Sequence, residues 1–331
     1  MRRDRSLMAI AFILAVAALR LSYPVTMPIV VAVFIIAAVW PIKPWLERRL
    51  PSSLSYAGTM LALCLILGGF LAVVYFAIAQ VAQAAVEDQE RFRALYDSYA
   101  TWAEARGLPV PGGTQGYDRL VALAEAMFWR IYSGLGYVGV IAFLVFLGLP
   151  EVPAMAAKAR EELDGEDSGD LLGSVERIAA RCREYIGVTV QTSLITGVAT
   201  GLWAFAVGLD LALTWGVLNF LLNFLPVIGN VVGIVPPVLY AMIQFEGWVW
   251  PVVVFLGFSA LQIAISNVVF PMLQGRRLAL APVGVLLALL VWGWLWGVVG
   301  ALLAIPLTVA MIIVCQHFRS TEWVAKVLLR E

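Results

Sequence analysis

Long stretches without a charged side chain decide what this chain can fold into. A helix that crosses the hydrocarbon core of a bilayer needs about 20 consecutive apolar residues. Only 13% of the residues are charged, whereas an ordinary soluble protein carries about a quarter. The sequence therefore predicts an all-α, polytopic membrane helix bundle with about eight hydrophobic spans. The uncharged stretches cover residues 6–19, 21–42, 50–86, 131–150, 185–209, 211–245, 247–275 and 278–318.

The stretch 211–245 is apolar enough for a bilayer, but its prolines, glycines and asparagines do not suit an ordinary spanning helix. Proline removes a backbone donor and clashes with the preceding turn, and glycine permits bends and close helix contacts. In lipid, a broken backbone survives only where protein buries it or water lines it. The pattern predicts a re-entrant helical hairpin. Its hinge positions are Pro226, Gly229, Gly233, Pro236 and Pro237.

A second interrupted segment follows at 278–306. The uncharged stretch that contains it, 278–318, predicts either two short helices or a re-entrant loop joined to a spanning helix. Trp292, Trp294 and Trp296, with the neighbouring Gly293 and Gly297, mark its turn, and Pro306 is a further hinge position. Interrupted segments at corresponding positions of inverted halves indicate a substrate site in secondary transporters. An inverted repeat is therefore one hypothesis for 185–316, and a set of antiparallel hairpins without symmetry is the alternative.

The distribution of basic residues predicts the orientation of the chain. Arg2, Arg3 and Arg5 precede the first span, and Arg276 and Arg277 follow the seventh. Cytoplasmic segments carry the excess of Lys and Arg, so both termini are predicted to be cytoplasmic. The predicted segments are N-terminal transmembrane helices at 1–86, an extracytoplasmic amphipathic helical hairpin at 87–131, a transmembrane helix at 132–150, a cytoplasmic polar linker at 151–184, a transport core at 185–316 and a cytoplasmic tail at 317–331. Within the first segment, 7–20 and 25–40 are expected to form a hairpin that turns near 22–24.

Uncharged polar residues inside the spans are the candidates for solute contact. Asn219 and Asn223 are four residues apart and share a helix face, and Asn230 follows the glycine where the chain bends. Amides without charges suit a small neutral polar solute, or a cation held by carbonyl and amide oxygens. The alternative is interhelical hydrogen bonding, worth about 0.6–2 kcal/mol per contact. The substrate-binding candidates are Gln191, Asn219, Asn223, Asn230, Gln262 and Asn267.

Several functional classes lack their signatures in this sequence. There is no Walker A run and no HExxH motif. The single histidine, His317, cannot build a metal site, and the three cysteines lie far apart. A net charge of zero gives no electrostatic case for nucleic acid. We therefore expect no enzymatic activity, no cofactor, no metal and no nucleic-acid partner. The absence of charge between Asp210 and Glu246 also argues against proton chemistry inside the hairpin.

Six sequence blocks in the second half of the chain have a characteristic order and spacing. The blocks are Asn-Phe-Leu-Pro-Val-Ile-Gly at 223–229, Pro-Pro at 236–237, Asn-Val-Val-Phe-Pro-Met-Leu-Gln-Gly at 267–275, Leu-Ala-Pro-Val-Gly at 280–284, Trp-Gly-Trp-Leu-Trp-Gly at 292–297 and Gly-Ala-Leu-Leu-Ala-Ile-Pro at 300–306. Together they resemble the AI-2E (autoinducer-2 exporter or PerM-like permease) transporter family. One position departs from many relatives, because Asn230 stands where they have proline. The resemblance implies a homo-oligomeric inner-membrane transporter, with members associated with export of autoinducer-2 and others with sodium/proton exchange.

The first functional hypothesis is a secondary transporter or permease that moves a small polar solute, such as an autoinducer-2-like signal. A sodium/proton antiporter of the same family is the alternative within the transporters. A non-transporting, oligomeric membrane scaffold is the alternative from another class. The sequence leaves the substrate, the direction, the coupling ion and the subunit number open.

Overall fold

The computed structural model of the chain describes residues 14–40, 46–49, 51–108, 110, 116–162, 168–225, 228–274 and 282–317. Every regular element in these ranges is helical, which confirms the predicted all-α class. A π-helical segment, Ile265–Val269, separates α10 from α11. The helices are α1 (Leu14–Leu21), α2 (Tyr23–Val39), α3 (Ser52–Glu87), α4 (Gln89–Glu104), α5 (Gly116–Glu162), α6 (Ser168–Ala206), α7 (Ala212–Leu222), α8 (Ile228–Val232), α9 (Val235–Gln244), α10 (Val249–Ala264), α11 (Phe270–Gln274), α12 (Pro282–Leu302) and α13 (Ala304–His317).

The described helices include several that can cross a membrane. Four helical segments have the length and composition of a spanning helix, and the bent pair α1–α2 adds a fifth if it counts as one span. One of the four, Val283–Leu302, contains the break at Trp296 and Gly297 and is therefore not one straight span. Shorter apolar helices account for the remaining predicted stretches, so the multi-pass helix bundle is confirmed. The long segments are Leu54–Glu87, Gly173–Ala206, Val249–Leu273 and Val283–Leu302; the short ones are Gly136–Val152, Ala212–Leu222, Ile228–Gln244 and Ala304–Gln316.

The first two helices differ from the predicted antiparallel hairpin. The chain bends where expected, at Ser22, but by only 84°. The backbone N–H of Ser22 still donates to Ala18, and the Ser22 carbonyl accepts from Val25 and Thr26. Pro24 lies in the first turn of α2, where a missing donor costs little. The helical hydrogen bonds therefore continue through the bend, and the chain does not reverse.

Helix α5 runs without interruption from Gly116 to Glu162. The boundary predicted between residues 131 and 132 falls inside this helix, and so does the predicted end of the span at Pro150. A proline within a membrane helix is tolerated because neighbouring groups satisfy the backbone carbonyl that it leaves without a donor. Since α6 resumes at Ser168, much of the polar segment 151–184 is also helical.

The chain divides into two compact units. The first contains the described residues up to Leu63, Tyr137–Val188 and those from Gln274 onward; the second contains Cys64–Gly136 and Thr189–Leu273. The segment 185–316 contributes to both. The core of the first unit includes Met27, Phe34, Cys182, Leu295, Trp296 and Leu307. The core of the second unit includes Ala204, Leu209, Trp215, Ala241, Val254 and Phe258.

The first unit contains one of the broken hairpins, formed by α12 and α13. The chain reverses at Trp296 and at Gly297, where φ is 63° and ψ is −141°. The indole N–H of Trp292 donates to the hydroxyl of Thr308 over 3.1 Å, across the two antiparallel arms. Gly300 packs directly against the Trp292 carbonyl, where a Cβ would not fit. Pro306 is buried in the first turn of α13, where proline is tolerated.

Candidate functional site

In the second unit, helices α7, α8 and α9 form an antiparallel hairpin (the α7–α9 hairpin). Helix α7 has 11 residues, which is about 16 Å at 1.5 Å per residue and roughly half of a 30 Å hydrocarbon core. Helix α7 is therefore long enough to enter a bilayer but too short to cross it, as in a re-entrant hairpin. Its arms meet at four successive levels from tip to base, which pair Leu222 with Gly229, Asn219 with Gly233, Trp215 with Tyr240 and Asp210 with Gln244.

The base of the hairpin is closed by the Gln244 side chain. Its Nε2 donates to the Gly208 carbonyl over 2.8 Å, and its Oε1 accepts from the Asp210 backbone N–H over 2.9 Å. Left-handed backbone at Gly208 (φ 72°) and Leu211 (φ 58°) turns the chain from α6 into α7. One amide therefore joins the end of α6, the start of α7 and the end of α9.

Asn219 lies at the centre of the hairpin, with no exposed surface. Its Nδ2 donates to the Trp215 carbonyl over 3.0 Å and to the Gly233 carbonyl over 3.1 Å. Its Oδ1 accepts from Nε2 of Gln262 on α10 over 2.9 Å. A Cβ at Gly233 would meet the Asn219 amide, so a glycine is required opposite it. These bonds join both arms and α10.

The tip of the hairpin is attached to two membrane-spanning helices by amide–hydroxyl bonds. Nδ2 of Asn223 contacts the Ser193 hydroxyl of α6 at 3.0 Å. Nδ2 of Asn230 contacts the Ser266 hydroxyl at 2.7 Å. Both asparagines are partly buried. Ser266 lies in the π-helical segment, a geometry that is frequent at functional sites.

Small residues bring α6 and α7 into close contact. A Cβ added to Gly216 would lie 2.7 Å from the Gly197 carbonyl oxygen and 3.1 Å from the Gly201 Cα. Small residues with this spacing allow membrane helices to approach at the backbone. The buried hydroxyls of Thr196 and Thr200 donate to carbonyls of their own helix, over 2.8 Å and 2.7 Å. This face of α6 therefore serves helix packing.

The structure brings four of the six predicted binding residues to the hairpin. These are Asn219, Asn223, Asn230 and Gln262. Gln191 and Asn267 are exposed, and the Asn267 amide donates to the Ile263 carbonyl of its own helix over 2.9 Å. Of the predicted hinge residues in this hairpin, Gly229 and Gly233 allow the arms to meet, and Pro236 and Pro237 start α9. Pro226 lies outside the described residues.

The six predicted binding residues include neither Ser193 nor Ser266, the partners at the tip. Both serines are polar residues within the spans. A serine there usually bonds to its own backbone, so the sequence did not show that these two contact the asparagines. Asp88 was missed as well. Its carboxylate accepts from the Tyr240 hydroxyl over 3.3 Å, which connects the start of α4 to α9. Among the described residues, no group of three or more His, Cys, Asp or Glu side chains could hold a metal ion.

Comparisons of the sequence with known proteins identify relatives that are named as transport proteins. AI-2 transport protein TqsA of Escherichia coli K12 is 28% identical over 63% of this chain. YhhT of Escherichia coli K12 is 32% identical over 58% of the chain, and YrrI of Bacillus subtilis 168 is 26% identical over 88%. The matched part spans 60% of TqsA and 54% of YhhT, little more than half of each, and 86% of YrrI. The sequence profile of the AI-2E family transporters matches residues 7–320, and the chain therefore belongs to that family.

Proposed function

We propose that this chain is a secondary transporter or permease that moves a small polar solute across the inner membrane. The observation that carries the proposal is the α7–α9 hairpin, whose first arm has the length of about half a bilayer core and which is attached by amides to two helices of spanning length. Irregular backbone at membrane depth is tolerated where it lines a path, and broken helices form the solute sites of many transporters. In this proposal the hairpin tip is the gate.

The strengths of the contacts support movement at the tip. Single polar contacts between membrane helices are worth about 0.6 kcal/mol on average and under about 2 kcal/mol at most. The two bonds from Asn223 and Asn230 are contacts of this kind, so a solute with hydroxyl or carbonyl groups can replace them at little cost. The base and centre of the hairpin are better fixed, because Gln244 and Asn219 each make several bonds.

The solute proposed is a neutral, autoinducer-2-like signal, and the direction proposed is export. Two observations support this choice. The relative TqsA is named as an AI-2 transport protein, and the polar groups at the tip are uncharged amides and hydroxyls. We also propose a homo-oligomer with both termini in the cytoplasm, as the basic residues and the family resemblance imply.

Flux through proteoliposomes tests the proposal. The purified chain is reconstituted, and uptake of autoinducer-2 and of labelled small sugars is measured for wild type, Asn223→Leu and Ser193→Ala. Both variants should change the rate of solute flux several-fold, because each removes the bond between Asn223 and Ser193. Ser98→Ala is the matched control, since the Ser98 hydroxyl is exposed and bonds its own helix. Flux that is equal in all four proteins would exclude the tip as the gate.

The same liposomes separate the alternative functions. A sodium/proton antiporter would collapse an imposed pH gradient when sodium is added, and its flux of neutral solutes would be absent. A non-transporting scaffold would move neither sugars nor ions, although the reconstituted protein would be folded and oligomeric. Either result would replace the permease proposal.

A further inference from the structure

One oxygen atom in the centre of the hairpin site has no hydrogen-bond partner among the described residues. It is Oε1 of Gln262, in a side chain that is only 5% exposed. Buried polar atoms in proteins are nearly always hydrogen-bonded, because an unsatisfied one costs the full desolvation penalty of the group. An unpartnered acceptor at this place therefore indicates a donor other than the described part of the chain.

The surrounding hydrogen bonds determine which atom of the Gln262 amide, the nitrogen or the oxygen, remains without a partner. The carbonyls of Trp215 and Gly233 can only accept, so both must face Nδ2 of Asn219. The Asn219 Oδ1 must then face a donor, which is Nε2 of Gln262. Because Nε2 of Gln262 donates to Asn219, Oε1 of Gln262 points away from Asn219. The carbonyls of Trp215 and Gly233 thus determine, through Asn219, that the unpartnered atom of Gln262 is an acceptor.

We infer that Oε1 of Gln262 accepts a hydrogen bond from a hydroxyl group of the transported solute. The inference rests on the proposed transport function and adds its substrate class, a neutral hydroxyl-bearing molecule such as a small sugar or polyol. A hydroxyl supplies the single donor that this oxygen requires.

Charged solutes do not match the groups around this oxygen. An anion requires a donor, whereas the unpartnered atom here is an acceptor oxygen, which would repel it. A hard cation prefers several oxygen ligands at once, often with carboxylates. The stretch from 211 to 245 has no charged residue. One acceptor oxygen without a compensating charge fits an O–H donor.

The hairpin tip gives a solute a short route to this oxygen. Ser266 lies four residues after Gln262 on the same helix, so the two are about one helical turn, or roughly 5–6 Å, apart. Ser266 and its partner Asn230 are partly buried, whereas Gln262 is buried. A solute that replaces the Asn230–Ser266 bond would meet Gln262 one turn further in.

Binding of ribose and of its singly deoxyfluorinated analogues tests the inference. Fluorine keeps the size of a hydroxyl but cannot donate a hydrogen bond. Calorimetric titration of the detergent-purified chain should give about tenfold weaker binding for at least one analogue, as expected for one lost neutral hydrogen bond. In Gln262→Met the same analogue and ribose should bind equally. If Gln262→Met does not fold, the comparison of ribose with its analogues in the wild type still tests the inference.

Each outcome supports or overturns the inference. Equal binding of ribose and all analogues by wild type would overturn it without any variant. Discrimination that persists in Gln262→Met would also overturn it, and so would a loss of thermal stability with unchanged discrimination, which indicates a structural water at this oxygen. If binding depends on the hydroxyl and on Gln262 but no flux is seen, Gln262 remains the residue that contacts the sugar and the transport proposal is overturned. If sugars are transported but Gln262→Met still binds ribose more tightly than the analogue, the transport proposal stands and the role of Gln262 is overturned.

Discussion

At the scale of single residues, Asn219 has a different environment from the other asparagines of the hairpin. Its nitrogen makes two bonds to carbonyls of both arms, its oxygen takes a third bond from α10, and no surface is exposed. These bonds use the hydrogen-bonding capacity that a solute would need. We therefore propose that Asn219 positions Gln262 and joins the arms, and that contact with the solute occurs through Gln262, Asn223 and Asn230.

Replacing Asn219 by leucine should lower the stability of the folded chain by about 1–3 kcal/mol, because the Gly233 carbonyl and the Gln262 amide lose their partner. Asn267→Leu is the matched control. Asn267 is exposed and bonds only to its own helix in the structure, so its loss should change stability by less than about 0.5 kcal/mol. Thermal unfolding of both purified variants in detergent is the measurement. Equal shifts would contradict the central position of Asn219.

Part of this site could be predicted from the sequence. The spacing of Asn219 and Asn223 placed them on one face of a helix, and the glycines indicated where the arms meet. The partners could not be predicted, because Ser193 and Ser266 lie 30 and 36 residues from the asparagines that they contact. The spacing of residues within one helix contains no information about which turn of another helix lies opposite.

At the scale of secondary-structure elements, the two broken hairpins reverse direction by different means. The α7–α9 hairpin has a short helix, α8, between its arms, whereas the α12–α13 hairpin turns within two residues, at Trp296 and Gly297. The φ and ψ values of Gly297 belong to a region that essentially only glycine adopts. The tryptophans and glycines of this segment predicted the position of the turn correctly.

Gly297→Ala should destabilise the α12–α13 hairpin by about 1–3 kcal/mol, the cost of a side chain in a strained backbone conformation. Gly293→Ala is the control on the same helix, since a Cβ at that position would lie 3.8 Å from its nearest neighbour, Ala301. That change should be neutral or slightly stabilising, because alanine favours a helix. Differential scanning fluorimetry of the two variants distinguishes them, and a stable Gly297→Ala protein would contradict the turn geometry.

The lengths of the elements were harder to predict than their positions. The amphipathic pattern before residue 131 and the apolar pattern after it suggested two helices, yet α5 continues through both. Hydrophobic periodicity reports which face of a helix is buried, and a change in that face does not require a break. The π-helical segment has no sequence signal of its own either. A π-helix differs from an α-helix by a wider turn, and this segment contacts the hairpin through Ser266, a contact that the local sequence does not reveal.

At the scale of the whole molecule, the basic residues predict the orientation of the chain in the membrane. The segment around α4 is predicted to be outside and the segment 151–184 inside. Glu104, at the end of α4, and Glu161, near the end of α5, are both exposed and are suitable positions for a label.

Cysteine labelling tests this orientation. In a chain whose cysteines at 64, 182 and 315 are replaced by serine, Glu104→Cys should react with a membrane-impermeant maleimide in intact spheroplasts. Glu161→Cys should react only after the membrane is permeabilised. The unsubstituted cysteine-free chain is the control for background labelling. Reaction of both positions from the same side would overturn the predicted topology.

The closure of the α7–α9 hairpin by Gln244 has a consequence for how such a chain can evolve. Because Gly208, Asp210 and Gln244 meet at one place, α10 starts beside the end of α6. Lengthening, shortening or exchanging the hairpin would therefore leave the direction of every later helix unchanged. The hairpin can therefore diversify as a module without changing the side of the membrane on which each later helix begins.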